Sequence, residues 1–318
     1  MSNVFQELEI FLNILKVIDQ WGWAYHNVSR DQRKFSRHRI DIARIGDISV
    51  EQAGKYDIVY FSSIDLDRNK VRSLASELRA RYPKTSIIGG YAAESNLLYA
   101  ECDLVISVSL RHYYELVDLY PDKPVVWMPE CVDTDFFKRS KAYPTNFTVG
   151  WAGREFPVKR PYLLNELKFP LVRKSDWGAQ FFKKDRTLDD MIDFYHSIST
   201  LILVSISECM PRVVLEAMSM SLPVVSTDVG SLGVVLSKEM LVPPAPENKV
   251  MPKINSILNE LKHDHKLFES ACEHNRKVAE EQLSWKVNMP YWDKLFESVR
   301  DSQKALAIGQ HFLRIFGV

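Results

Sequence analysis

Short apolar runs alternate along the chain with segments that favour helices, and the pattern is densest between Leu201 and Val235. There an apolar run, a loop, an amphipathic segment and a second apolar run follow one another. Continuous runs rich in Leu, Ile and Val are typical of strands that are buried on both faces of a parallel sheet. The pattern therefore predicts an α/β protein assembled from strand–helix–strand units, with this stretch as one of them.

The loop inside this central unit predicts a ligand site at one edge of the sheet. The first apolar run ends before Glu208, and Pro211 suits the first turn of a helix because its missing N–H group costs no hydrogen bond there. We predict a helix from Arg212 to Met220 and a second strand after Pro223. Both loops then lie at the carboxyl ends of strands, where open α/β sheets bind ligands.

The start of the predicted helix suits a diphosphate, because unpaired N–H groups and the positive end of the helix dipole meet there. Glu208 and Glu216 flank this start, and two carboxylates so placed can accept hydrogen bonds from sugar hydroxyls on either side of a diphosphate. Either residue alone reads more simply as a solvated acid, whereas the pair around a proline helix start favours binding. The N–H groups of the predicted cradle belong to Met210, Arg212, Val213 and Val214.

The segments ECMPRVVLEAM and PVVSTDVGS, which begin at residues 208 and 223, resemble the E-x7-E signature of the GT4 family of retaining glycosyltransferases. The resemblance implies the GT-B architecture, in which two Rossmann-like α/β domains face each other across a cleft and the second domain holds the donor. It also implies that Glu216 binds the ribose of a nucleotide sugar and that Glu208 binds the sugar hydroxyls. The chain departs from the pattern where Gly, Gly, Gly and Glu are usual, at Cys209, Ser221, Ser231 and Val234.

A basic motif, GREFPVK from residue 153 to residue 159, resembles the family's G-R-x-x-x-x-K. This resemblance implies that Arg154 and Lys159, which follow Gly153, neutralise the donor diphosphate and the charge of the leaving group without a metal ion. Arg160 stands where the family usually has Gly, and we expect it to add a third cation. The alternative is an ordinary exposed basic loop, but the family spacing favours the phosphate role.

Three more positions are linked to the substrates by the same resemblance. Gly22 lies in the loop after the first strand, between two tryptophans that either face the cleft or pack against the start of the following helix. Tyr91 stands near the point where many relatives have a donor-contacting His. Phe182 lies in the loop that carries the nucleobase in relatives, and a place in the core is an equal alternative.

The domain organisation follows from a polar linker and from the family pattern. Residues 138–146 are polar, and Ser284-Trp285 resembles the family's terminal S-W pair. We expect the amphipathic end of the chain to dock on the body, with contact to a membrane or to a second subunit as alternatives. The predicted parts are an acceptor-side Rossmann-like domain (1–143), a nucleotide-sugar-binding Rossmann-like domain (144–283), and a helix that crosses back to the first domain with its tail (284–318).

The composition argues against several other classes of protein. The 318 residues carry 41 basic and 41 acidic side chains, so no net charge draws the chain to nucleic acid or to anionic lipid. Four scattered cysteines, no basic leader and no long apolar run predict a cytoplasmic protein, with peripheral membrane contact left open. The D-x-D patterns Asp65–Asp67 and Asp133–Asp135 are short enough to occur by chance, so we expect no metal site and no cofactor.

We therefore expect a metal-independent enzyme that transfers a sugar from a UDP- or GDP-linked donor to an acceptor hydroxyl with retention of the anomeric configuration. A glycan or a lipid-linked saccharide is the expected acceptor, and a hydroxymethylated DNA base is the alternative. Two further alternatives are a non-catalytic GT-B protein that serves a partner and an epimerase of sugar nucleotides. The departures at Cys209, Ser221 and Val234, together with the missing His near Tyr91, favour the first.

Overall fold

The computed structural model describes residues 10–22, 24–62, 68–91, 101–175 and 188–318. The chain forms two compact units. The first unit contains Met1–Ile106, Tyr120–Val126 and Met289–Gly309, and the second unit contains Ser107–Leu119, Trp127–Asn288 and Gln310–Val318. The domain boundaries expected from the sequence stay a prediction.

The N-terminal part of the chain builds a six-stranded sheet. Its strands are β1 (Asn13–Ile18), β2 (Arg39–Arg44), β3 (Ile58–Phe61), β4 (Ser86–Tyr91), β5 (Leu104–Ser107) and β6 (Val125–Trp127). The helices described in this part are α1 (Ala24–Phe35), α2 (Val50–Ala53), α3 (Arg68–Arg81) and α4 (Leu110–Leu119). The strand order is β2-β1-β3-β4-β5-β6, and the pairings of β1 with β2 and β3 and of β3 with β4 are parallel. β3 and β5 are buried at every residue, which explains their uninterrupted apolar sequences.

A second, five-stranded sheet follows. Its strands are β7 (Val149–Ala152), β8 (Leu171–Lys174), β9 (Thr200–Leu203), β10 (Val224–Thr227) and β11 (Leu241–Val242), in the order β11-β10-β9-β7-β8. The helices described around it are α5 (Asp189–His196), α6 (Arg212–Ser219), α7 (Val250–His263) and α8 (His265–Glu281). All of its neighbouring strands pair in parallel. Because parallel strands run in the same direction, the carboxyl ends of these strands lie at one edge of the sheet.

The central unit has the predicted order of strand, loop, helix and strand. β9 and β10 are buried at every residue, and α6 begins at Arg212 as predicted and packs one face into the apolar core of the second unit. β9 is shorter than the apolar run, because the carbonyl groups of Val204 and Ser205 accept hydrogen bonds from the Arg160 side chain. The residues after Leu203 therefore form a loop whose backbone is held by a side chain.

The helices α9 (Trp285–Glu297) and α10 (Ser302–Ile315) end the chain. Phe312 is fully buried, and the Phe316 ring packs edge-on against Trp127 with the ring centroids 5.1 Å apart. The amphipathic tail is therefore packed on the protein, as expected. None of the described helices is long and apolar enough to span a bilayer. A cytoplasmic location stays a prediction.

Candidate active site

Lys159 and Glu208 meet at the carboxyl edge of the second sheet. Lys159 ends a 3₁₀ turn (Pro157–Lys159) that follows β7, and Glu208 lies in the loop between β9 and α6. The Lys159 ammonium group pairs with Glu208 Oε1, and the Ser205 hydroxyl donates to the same oxygen at 2.7 Å. The Lys159 side chain is 28% exposed and the Glu208 side chain is 9% exposed. The structure thus joins two of the predicted site residues in a partly open ion pair.

Arg160 is buried and does not present a third cation to a ligand. Its backbone is left-handed, with a φ of 46°, and the residue is 1% exposed. The guanidinium group donates to the carbonyl oxygens of Val204 at 2.7 Å, Ser205 at 3.0 Å and Pro244 at 2.9 Å. The expectation of a third phosphate-binding cation is therefore wrong, because backbone carbonyl groups surround this charge.

The start of α6 offers fewer available N–H groups than the sequence suggests. Pro211 is the N-cap residue, with an extended backbone and no side-chain hydrogen bond to the helix. The Val214 N–H group donates to the Pro211 carbonyl at 3.0 Å, so this group is used within the first turn. The predicted diphosphate cradle then depends on the N–H groups of Met210, Arg212 and Val213.

Glu216 lies on the buried face of α6, where Tyr195 and Arg212 contact its carboxylate. Oε2 accepts a hydrogen bond from the Tyr195 hydroxyl at 2.8 Å, and Arg212 Nε lies 3.4 Å from Oε1. Glu216 is 3% exposed and Tyr195 is fully buried. Burial and the nearby Glu216 charge raise the pKa of Tyr195 well above its usual value of 10, so the hydroxyl stays protonated. Tyr195 comes from α5, and no spacing rule links it to Glu216, so sequence reasoning missed it.

The turn after β10 packs closely against the loop that carries Glu208. Gly230 has a φ of 63°, and a Cβ atom there would lie 1.9 Å from the Cys209 carbonyl oxygen. Ser231 N–H donates to the same oxygen at 2.9 Å. The Ser231 hydroxyl also accepts from Leu110 N–H at 2.8 Å and donates to the Val108 carbonyl at 3.0 Å. Ser231, a departure from the family pattern, thus connects this turn to the start of α4.

Cys209, another departure from the family pattern, faces a histidine. Its Sγ atom lies 3.6 Å from Nδ1 of His112 on α4. Sequence reasoning looked for a histidine near Tyr91 and did not single out His112, because no motif places α4 beside the loop before α6. This contact brings the imidazole of His112 to the thiol of the residue that follows Glu208 in the chain.

The glycine and arginine that open the basic motif lie on the same loop as Lys159. Gly153 N–H donates to the Lys174 carbonyl at 3.2 Å, which extends the pairing of β7 with β8. The Arg154 guanidinium lies 5.4 Å from the ring centroid of Phe156, a cation–π contact on the exposed side of the loop. Arg154 is half-buried. A diphosphate role for Arg154 stays a prediction.

The loop around Gly22 belongs to the first unit. Gly22 has a φ of 80°, and its N–H group donates to His26 Nδ1 at 3.0 Å. Trp21 is 43% exposed, and its ring meets His26 edge-on with the centroids 5.0 Å apart. Burial, with Arg30 and Arg33 close by, lowers the pKa of His26 to about 4. Trp21 therefore contacts a neutral histidine at the start of α1 while much of the residue stays exposed.

The remaining predicted positions are less informative. Tyr91 ends β4, and its side chain lies outside the described part of the structure. Phe182 and the Asp65–Asp67 pattern also lie outside the described residues. Asp133 Oδ1 accepts hydrogen bonds from the N–H groups of Asp135 and Phe136 at 3.2 and 3.1 Å, so Asp133 shapes a turn.

One protein-family model matches the central part of the chain. Residues 160–260, which contain β9, α6 and β10, match the protein family described as "Glycosyl transferases group 1". A search of curated proteins finds no match to this chain.

Solved structures define the class of fold over nearly the whole chain. Anabaena Alr3699/HepE in complex with UDP-glucose is 13% identical, covers 94% of this chain and 100% of its own, and superposes with a TM-score of 0.67. A glycosyltransferase from Rickettsia africae ESF-5 is 15% identical, with 92% and 99% coverage and a TM-score of 0.69. The catalytic domain of starch synthase IV from Arabidopsis thaliana, bound to ADP and acarbose, is 11% identical, with 92% and 100% coverage and a TM-score of 0.67.

These likenesses confirm the predicted α/β GT-B fold. Together, the fold and the family match over the central unit support a glycosyltransferase.

Proposed function

We propose that this protein is a GT4-like retaining glycosyltransferase, which moves a sugar from a nucleotide-diphosphate sugar to an acceptor hydroxyl without a metal ion. The observation that carries the proposal is the Lys159–Glu208 ion pair near the start of α6, because it combines a cation for a diphosphate with an acid for sugar hydroxyls. The similar structures with UDP-glucose and with ADP support a nucleotide-linked donor. The E-x7-E resemblance supports retention.

Donor binding would exchange the partners of this ion pair. When the Lys159 ammonium group moves from the carboxylate to a diphosphate, it keeps a charge-assisted contact with oxygen. Glu208, still held by the Ser205 hydroxyl, then accepts hydrogen bonds from hydroxyl groups of the sugar. As the glycosidic bond breaks, negative charge grows on the diphosphate, and Lys159 with Arg154 stabilises it. We assign no enzyme carboxylate as a nucleophile.

We propose a glycan or a lipid-linked saccharide as the acceptor. The exposed Trp21 ring beside Gly22 supports this choice, because indole offers an apolar face and one polar N–H group, which together suit the mixed surface of a sugar. A hydroxymethylated DNA base is a weaker candidate, because binding to duplex DNA depends on basic side chains and this chain has no net positive charge.

Donor turnover tests the proposal. The purified protein is incubated with UDP-, GDP- and ADP-glucose, with and without saccharide acceptors, and in the presence of EDTA. Lys159→Ala should lower kcat/KM for the donor by about 100-fold or more, which is typical for a lost transition-state contact. Glu208→Gln should also lower it, because the amide cannot accept as many hydrogen bonds. NMR of the product should show the anomeric configuration of the donor.

The matched control is Lys141→Ala, which removes a cation of the same unit from an exposed ion pair with Asp193. Its turnover should stay within about twofold of the wild type, since exposed pairs contribute little. Normal turnover in Lys159→Ala would contradict the site assignment. Consumption of donor without any saccharide product would favour an epimerase or a hydrolase, and failure to bind any nucleoside diphosphate would favour a non-catalytic protein.

A further inference from the structure

The Tyr195 hydroxyl is aimed at the one carboxylate of α6 that is expected to meet a nucleotide. Tyr195 is fully buried on α5, and its oxygen lies 2.8 Å from Glu216 Oε2. The same hydroxyl lies 3.3 Å from the Val213 carbonyl oxygen, so the carboxylate is its closer acceptor. On the other side of the carboxylate, Arg212 Nε is 3.4 Å from Oε1, longer than the usual hydrogen bond between these atoms.

We infer that Tyr195 is the positioning residue of Glu216 and thereby sets the preference of the site for a ribose that carries its hydroxyl groups. This inference rests on the proposed function, and it takes from the family resemblance the expectation that Glu216 binds the ribose of the donor. Tyr195 does not touch the nucleotide; it fixes Oε2, so that Oε1 is the atom presented to the ribose. The ribose hydroxyls then replace the long contact from Arg212.

Two physical features make the arrangement selective. Burial and the Glu216 charge raise the pKa of Tyr195, so its hydroxyl keeps its proton and donates it to Glu216 Oε2 at 2.8 Å. A carboxylate that is held by a hydrogen bond at Oε2 has fewer orientations, so its hydrogen bond to a ribose hydroxyl costs less ordering of the side chain. A nucleotide without ribose hydroxyls would leave this buried charge without its new partners, which is unfavourable.

The test removes the Tyr195 hydroxyl from the protein and, separately, the ribose hydroxyls from the nucleotide. Calorimetry measures the Kd of whichever of UDP, GDP and ADP binds the wild type most tightly, and then the Kd of its 2′,3′-dideoxy counterpart. Tyr195→Phe removes one oxygen and keeps the ring. We expect this variant to bind the ribonucleotide about tenfold more weakly, and to bind the dideoxynucleotide as the wild type does. A hydrogen bond to a charged group is large enough for a tenfold effect.

Tyr143→Phe is the matched control. The Tyr143 hydroxyl donates to the Ser221 carbonyl at 2.6 Å, just past the other end of α6, so the same chemical change is made at a distance from Glu216. Both nucleotides should bind this control as they bind the wild type. Tyr195→Met, which also lacks the hydroxyl, is a second variant, and thermal unfolding of each variant shows that it is folded.

The possible outcomes distinguish a positioning role of Tyr195 from a role in packing alone. If Tyr195→Phe weakens both nucleotides equally, or weakens neither, Tyr195 is only part of the packing between α5 and α6 and the inference is overturned. If the wild type binds no nucleoside diphosphate, the proposed function fails, and the inference fails with it. If the wild type binds but does not distinguish the ribonucleotide from the dideoxynucleotide, the inference alone fails, since the donor site itself is intact.

Discussion

The guanidinium group of Arg160 links three backbone carbonyl groups next to the loop that carries Lys159. One of these carbonyls belongs to Ser205, whose hydroxyl holds Glu208. Because Arg160 also follows Lys159 in the chain, it is connected to both members of the ion pair through the backbone. A buried arginine in a left-handed conformation is therefore expected to position the site as well as to stabilise the second unit.

Arg160→Lys tests this role. Lysine keeps the charge but cannot form a planar fork to several carbonyl oxygens. We expect the free energy of unfolding to fall by about 2–4 kcal/mol and the KM for the donor to rise, as measured by urea unfolding and by turnover. Arg111→Lys, which alters an exposed ion pair with Glu115, is the control and should change stability by less than about 0.5 kcal/mol. An Arg160→Lys protein with wild-type stability and KM would disprove the positioning role.

At the scale of elements, the site depends on the contact between the turn after β10 and the loop before α6. Gly230 permits this contact, because its left-handed backbone and its missing side chain leave room for the carbonyl groups of Glu208 and Cys209. The two loops follow neighbouring parallel strands, β9 and β10, and so reach the same edge of the sheet. A change in one loop therefore moves the other.

Gly230→Ala is expected to separate these loops. The new Cβ atom would lie 1.9 Å from the Cys209 carbonyl oxygen and 2.5 Å from that of Glu208, so backbone must shift. We expect kcat/KM for the donor to fall at least about tenfold, because small displacements of a catalytic group are costly. Gly46→Ala is the control, since a Cβ atom there meets nothing within 4 Å. Equal activity of the two variants would show that the loop contact does not position Glu208.

Sequence patterns predicted the elements better than the contacts between them. The helix start at Arg212 follows from Pro211, and the buried strands follow from their apolar runs, because these signals are local. The partners of Glu216 and Cys209 come from α5 and α4, and no periodicity encodes which side chains meet across a fold. The prediction that Arg160 is a third phosphate-binding cation was wrong for the same reason. The sequence of a basic loop does not show whether a cation in it is exposed to solvent or held by carbonyl groups.

At the scale of the whole molecule, the four cysteines differ in their access to solvent. Burial raises the pKa of Cys102 to about 12 and that of Cys272 to about 11, and Cys131 is fully buried. Cys209 is half-buried and lies beside His112. Since thiolates react and buried thiols do not, the chain as a whole should behave as a protein with a single reactive thiol.

Iodoacetamide at pH 8 should therefore add one group to the native protein, and peptide mass spectrometry should find it on Cys209. Because Cys209 adjoins Glu208, the modified protein should lose donor binding, and a nucleoside diphosphate should slow the reaction. Cys209→Ser is the control and should gain no group over the same time. Rapid modification of any other cysteine, or full donor binding after modification, would contradict the arrangement of this loop.

The fold of the whole molecule was predictable because one motif, the acid pair around the start of α6, fits a known architecture and the remaining apolar runs fit the same plan. The structural likeness to proteins of 11–15% identity confirms that plan. The sugar and the acceptor of the proposed reaction could not be predicted, because single positions such as Tyr91 and Phe182 form no local pattern that specifies a substrate.

Ser231 has a practical consequence for dissecting the protein. Its hydroxyl is buried and is bonded to the backbone of Val108 and Leu110, within the segment Ser107–Leu119 that belongs to the second unit. A recombinant fragment that begins at residue 144 would lack this segment, and the serine would keep neither bond. Any truncated gene product meant to isolate the second unit must therefore supply residues 107–119, either in the same polypeptide or as an added peptide.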